Sequence, residues 1–243
     1  MNRLLALRPR IGRLRRTLAE RAGFDAMSRP ALHGLDRKLE AWLPQRGGFF
    51  VEAGANNGYK QSNTYYFEKL RGWRGVLIEP VPWLAEECRL NRPASRVFAQ
   101  ALVPFGHAAT ITLDYSDLTS NVAGAFGDEE RRRGHQALGL AAQPAVRTRT
   151  IEVPARPLQS VLEEASAPAD FDLLSLDVEG FEPAVLDGLD LLRFRPRYIL
   201  IEVWNRVEIE RRLLPHYKEA AVLAAPGKYE DILYLRRDLG PTP

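Results

Sequence analysis

Short runs of largely apolar residues constrain this chain most: Phe49–Ala53, Gly75–Pro80, Phe171–Leu176 and Tyr198–Val203. A strand with one wet face alternates apolar and polar residues, whereas runs apolar at both parities are covered on both faces. Helical patterns separate them at Thr64–Leu70, Pro82–Asn91, Pro157–Ala165 and Glu182–Leu192, the first continuing a helix begun after the glycine turn at Gly54. Strand and helix in alternation, joined by right-handed crossovers, predict an α/β fold with a doubly wound, mostly parallel sheet. Ser95–Leu102 reads as a further strand. Thr110–Asp114 and Val146–Val153 alternate in polarity and read as antiparallel additions, and Ile232–Leu235 as a last edge strand. This domain is expected over residues 46–243, after a helical extension over 1–45 that Pro44 ends.

Ligands of such sheets bind beyond the carboxyl ends of the strands. The first run leads into Glu52-Ala53-Gly54-Ala55-Asn56-Asn57-Gly58. Gly54 permits a sharp bend and close approach of a ligand, and the next helix is expected to aim its free N–H groups there. Gly54 and Gly58 have three residues between them, which is not the GxGxxG spacing of a dinucleotide fold. That spacing, led by an acid, fits S-adenosylmethionine (SAM) better. The second run ends in Glu79-Pro80, where a carboxylate can accept hydrogen bonds from ribose hydroxyls of either NAD or SAM. Gln100 and Ala101 at the third strand end are placed to line an adenine.

The fourth run ends in Asp177-Val178-Glu179-Gly180-Phe181-Glu182. Methyl transfer to a hydroxyl requires alignment of methyl and oxygen and removal of a proton. Asp177 is the first candidate, as the base itself or as a ligand to a divalent metal. Glu179 is a candidate for the same centre or for the methionine ammonium group of SAM. Glu182 has the simpler reading of an acid that opens a helix. Asp177, Glu202 and Asn205 fall at adjoining strand ends, and their oxygens suit Mg²⁺; Glu202 reads equally well as a buried structural acid.

In this order and spacing the strand-end runs resemble the FkbM family of SAM-dependent methyltransferases, over about residues 48–238. The resemblance rests on Phe50–Gly58, Ser62–Glu68, Gly72–Pro80, Val153–Leu158, Leu174–Glu182, Val185–Gly188 and Arg197–Glu202. It implies a Rossmann-like fold and SAM contacts at Glu52, Gly54, Asn56, Gly58, Glu79 and Asp177–Glu179; Ala55, Ser62, Pro80, Gln100 and Ala101 complete the candidate set. The family more often has Asp where this chain has Glu52. Members methylate hydroxyls in polysaccharide, glycolipid and natural-product pathways, which makes a small-molecule or saccharide acceptor the expectation. A nitrogen or carboxyl acceptor, and a non-catalytic SAM-binding scaffold, are the alternatives. The insert Thr110–Val153 is expected to build the acceptor pocket, with His135 as an alternative base and Arg131–Arg133 able to meet an acidic group or merely to be solvated.

Composition narrows the remaining classes. The net charge of +3 hides an asymmetry: residues 1–21 hold seven arginines against Glu20, a local +6, so the remainder is near −3. Charge confined to an arm argues against nucleic acid as a partner. The arm's spacing at Leu4, Leu7, Ile11, Leu14 and Leu18 reads as a surface helix packed on the domain or on a second copy of the chain, with an anionic membrane surface as the alternative. A single cysteine, Cys88, excludes an internal disulfide. No apolar run reaches the ~18 residues of a membrane span. The expected setting is the cytoplasm or the inner face of its membrane.

Overall fold

The computed structural model describes residues 3–115, 121–122 and 149–240. Seven strands form the main sheet: β1 (Phe49–Ala53), β2 (Arg74–Ile78), β3 (Arg96–Phe98), β8 (Asp170–Leu176), β9 (Arg195–Val203), β10 (Tyr217–Ala224) and β11 (Glu230–Arg236). Their order is β10-β11-β9-β8-β1-β2-β3. The five from β9 to β3 are parallel, while β11 runs antiparallel to β9, and β10 to β11. The chain thus has the predicted Rossmann-like α/β architecture. β4 (Ala101–Leu102), β5 (Thr110–Tyr115), β6 (Asn121–Val122) and β7 (Arg149–Arg156) form a second sheet in the order β4-β7-β5-β6.

Burial on both faces explains the unbroken apolar runs. In β9, Ile199, Ile201 and Val203 enter one core while Tyr198 and Leu200 enter the other. Each fully buried side chain of this size contributes roughly 1.5–3 kcal/mol. The first core is closed by α5 (Leu158–Glu164), α6 (Glu182–Leu186) and α7 (Arg206–Leu213); the second by α2 (Leu35–Trp42), α3 (Tyr65–Arg71) and α4 (Pro82–Asn91).

Several expectations are corrected. The stretch Ser95–Leu102 is two strands, because the chain leaves the main sheet after Phe98 and enters the second at Ala101. The helix expected over Glu182–Leu192 ends at Leu186. Ile232–Leu235 lies inside β11, which is not an edge; β10 covers it. The helix after Gly54 starts only at Tyr65, and its first N–H groups do not face a ligand: Ser62 Oγ accepts from the N–H of Thr64 (3.3 Å) and of Tyr65 (3.1 Å).

The arginine-rich segment forms α1 (Arg3–Arg21) and docks on the domain. Arg16 is buried over the Tyr59 ring, 3.6 Å from its centroid. It donates to Tyr65 Oη at 2.8 Å and to Asn91 Oδ1 at 3.2 Å. Among the described residues no helix is long and apolar enough to cross a membrane.

Candidate active site

At the carboxyl ends of β1, β2 and β8 three chain segments meet around Gly54. The Gly54 and Ala55 N–H groups both donate to Ile78 O, at 3.0 and 3.1 Å, and Asp177 N–H donates to Ala53 O at 3.2 Å. Gly54 has φ +82°, and a Cβ added there would lie 1.7 Å from Asp177 O. Only glycine fits a bend that is both left-handed and pressed against the neighbouring backbone.

A cavity of about 940 Å³, counting its mouth to solvent, opens beside this bend. Its wall gathers nine sequence-predicted residues: Glu52, Gly54, Asn56, Glu79, Pro80, Gln100, Ala101, Asp177 and Glu179. Ala55, Gly58 and Ser62 do not line it. Ala55 is buried by the bend. Gly58, at φ +76°, lets α4 approach, since a Cβ there would be 2.8 Å from Cys88 Sγ. His135 lies outside the described residues, as do Arg131–Arg133.

Glu79 is buried, and its two oxygens accept from the backbone N–H groups of Asn56 (2.8 Å) and Val81 (2.9 Å). The carboxylate therefore joins the glycine loop to the end of β2 while still facing the cavity. Glu52 holds a different loop. It accepts from Ser62 Oγ (2.9 Å), Asn63 N–H (2.8 Å) and Thr64 Oγ1 (2.6 Å). Arg92, fully buried, is 3.6 Å from Glu52 and 2.7 Å from Glu68, so one guanidinium offsets two buried carboxylates. Most of Glu52's accepting capacity thus goes to the cavity's supporting loop.

Asp177, Glu179 and Glu202 bring carboxylate oxygens within 4.8 Å of one another. Burial, reinforced by their mutual charge, pushes Asp177 and Glu202 well above the usual carboxylate range. Burial raises Glu179 in the same way, with Glu182 adding to it. Groups so arranged share protons or hold a cation. Glu202 is fixed by Trp204, whose indole N–H donates to it at 2.6 Å. Asn205, the third oxygen expected there, is engaged as a cap: its side chain accepts from Glu208 N–H at 3.3 Å at the start of α7. Glu179 is the third acid of the cluster. Its loop is pinned by Glu182, which accepts from Val178 N–H (2.9 Å) and Gly180 N–H (3.2 Å), and whose own carboxyl burial pushes up to about 7.

Asn56, Gln61 and Glu179 all line the cavity in left-handed conformations, at φ 46°, 59° and 57°. Strained non-glycine backbone of this kind concentrates where a site is held in a fixed shape. Sequence reading missed Lys60, Gln61, Asn63 and Ser175. Ser175 was findable, two residues before Asp177 on the same strand face and opposite Glu52. Asn63 donates to Ser175 Oγ at 3.1 Å, while its buried Oδ1 has no hydrogen-bond partner.

The sequence matches the methyltransferase FkbM domain over residues 52–226, some 72% of the chain. No curated protein matches significantly. Among solved structures, a TehB-like SAM-dependent methyltransferase from Corynebacterium glutamicum aligns at 12% identity and TM-score 0.43, covering 94% of this chain and all of that one. The methyltransferase FkbM from Methylobacillus flagellatus aligns at 15% identity and TM-score 0.48, covering 78% of this chain but 43% of that protein's length. A human methyltransferase 10 domain containing protein aligns at 12% identity and TM-score 0.44, covering 83% and 81%. At these identities and TM-scores the likenesses say nothing of an acceptor. The match over most of the sequence, and the cavity at its strand ends, make this chain a member of the FkbM methyltransferase family.

Proposed function

We propose that the protein transfers the methyl group of SAM to a hydroxyl of a saccharide or saccharide-linked acceptor. The observation that carries this reading is the position of Asp177 and Glu179, both in the cavity wall and both in the carboxylate cluster. An adenosine fits along the wall from Glu79 to Gln100 and Ala101, its ribose hydroxyls donating to Glu79. The amino-acid end fits toward Asn56, Lys60 and Asn63; an ammonium group there would satisfy Asn63 Oδ1, the orphaned buried oxygen.

Bound SAM supplies an electrophilic methyl on a sulfonium leaving group. The chain supplies position and a proton acceptor. With SAM in place, Asp177 would hold the acceptor hydroxyl in line with the methyl and take the hydroxyl proton on its carboxylate as the methyl is transferred. A carboxyl whose affinity for protons is raised by burial is a better base once ionised than one in water. Asp177, Glu179 and Glu202 also form a set able to hold Mg²⁺, in which case the cation would lower the hydroxyl's pKa.

Asp177→Asn tests the assignment. With tritiated SAM and an extract of the native cell as acceptor pool, label transfer should fall at least 100-fold while S-adenosylhomocysteine binds within about threefold of wild type. Unchanged transfer removes Asp177 from the chemistry. Mass spectrometry of the product separates methylated oxygen from nitrogen or carboxylate, and EDTA separates the metal-assisted route from direct proton transfer.

A further inference from the structure

Beside the carboxylate cluster, outside the lining of the cavity, lies a group of rings that the donor site does not use. Trp204 follows β9, and its ring centroid is 5.3 Å from that of Tyr229, just before β11. The Tyr229 ring is in turn 6.4 Å from the ring of His33, and Tyr229 Oη lies 3.2 Å from His33 Nε2. Trp204 and Tyr229 are half-buried and His33 is exposed. His33 belongs to the N-terminal extension, in a turn over Leu32–Gly34 where it takes φ 54°. The extension is tied to the cavity at this point, because Ala31 forms a β-bridge with the cavity residue Gln61. Three distant parts of the sequence therefore converge on one lip.

The lip is joined to the carboxylates by the Trp204–Glu202 hydrogen bond. Beyond Glu202 the acids continue: Asp231 is its direct partner across β9 and β11, is buried, and has an Oδ2 without a hydrogen-bond partner. Carboxylates accept hydrogen bonds, so a ligand reaching them must bring donors. Rings beside them offer flat apolar surface with polar edges. A molecule with hydroxyl donors on its rim and a C–H face is a carbohydrate ring.

We infer that Trp204, Tyr229 and His33 form the acceptor subsite, on which a pyranose ring lies with one hydroxyl directed past Glu202 at Asp177 and Glu179. This deepens the proposed function and rests on it for the direction of transfer. It moves the acceptor site from the Thr110–Val153 insert to the junction of the N-terminal extension with the strands on the other side of the sheet centre.

Ligand-observed saturation-transfer NMR tests the subsite, with the full chain saturated with S-adenosylhomocysteine and a panel of methyl glycosides of hexoses and 6-deoxyhexoses as probes. At least one glycoside should show transfer to its ring C–H protons. That signal should fall at least fivefold in Trp204→Ala and in Tyr229→Ala, persist in Trp204→Phe, and weaken in His33→Ala, whose exposed side chain makes misfolding no explanation. Calorimetry of S-adenosylhomocysteine on the same variants should stay within about twofold of wild type. Retained transfer in both Trp204→Ala and Tyr229→Ala overturns the subsite, and absence of transfer from every glycoside to the wild type overturns the carbohydrate assignment. Failure of S-adenosylhomocysteine to bind the wild type would sink the donor reading instead, and the glycoside signal reads out separately from it.

Discussion

Gly54 and the carbonyl of Asp177 are in direct apposition: a Cβ on residue 54 would fall 1.7 Å from that oxygen. The two strand ends of the cavity thus depend on the missing side chain. Gly54→Ala must relieve both the clash and a φ of +82°, at a cost of about 3 kcal/mol or more. For a domain of this size that lowers Tm by roughly 6–12 °C. Thermal unfolding measures it, and a shift under about 2 °C would show that the strand ends are not so tightly joined.

Glu79 uses both oxygens on backbone donors, Asn56 N–H on one and Val81 N–H on the other. Glu79→Gln replaces one acceptor with an NH₂ that faces a backbone N–H. We expect affinity for S-adenosylhomocysteine to fall at least tenfold by calorimetry. Equal affinity would remove Glu79 from the nucleoside site.

Much of this was legible in the sequence because it depends on local rules. The two-sided apolar runs identified the parallel strands, and the glycine and acids after them marked the cavity wall. What was not legible depends on contacts between distant residues. Arg92 gave no motif signal, yet it fills the buried space between Glu52 and Glu68. Glu52 was read only as a ligand contact, yet besides lining the cavity it holds Ser62–Thr64. β10 and α7 escaped notice because β10 is an edge strand with few fully buried positions and α7 is mostly charged. Asn205 looked like a metal ligand, but a helix begins right after it and takes its side chain as a cap.

Arg92 is the keystone of the loop between β1 and α3. Its guanidinium also donates to Gly58 O (3.2 Å), Ser62 Oγ (3.1 Å) and Thr64 Oγ1 (3.0 Å). Arg92→Met leaves Glu52 without a counter-charge and Glu68 with Lys69 alone, 3.1 Å away, and should cost about 3–5 kcal/mol in urea denaturation. Adding Glu68→Gln to Arg92→Met should recover part of that loss, since it removes one of the two buried charges that lose Arg92. A cost below about 1 kcal/mol for the single variant contradicts the network.

Glu182 gives a pH test with a defined sign. Its folded carboxyl is raised to about 7 from an ordinary 4.5, chiefly by burial, so the folded state holds the proton more tightly than the unfolded one. The stability this contributes is complete below about pH 4.5 and is lost as pH rises to about 7. Glu182→Gln is uncharged throughout and can still accept from Val178 and Gly180. Relative to wild type it should gain with rising pH, by up to about 3 kcal/mol. Denaturation at pH 4.5 and pH 8 measures the difference, and a gain toward acid pH would reverse the assignment.

The central claim is that one cavity seats the donor with its sulfur toward Asp177 and Glu179. A crystal structure with S-adenosylhomocysteine bound tests it most directly. The account predicts ribose hydroxyls on Glu79, adenine against Gln100 and Ala101, and the sulfur facing the Asp177–Glu179 carboxylates with the Trp204–Tyr229–His33 lip beyond them. A nucleoside seated elsewhere, or a sulfur turned away from those two acids, would contradict it.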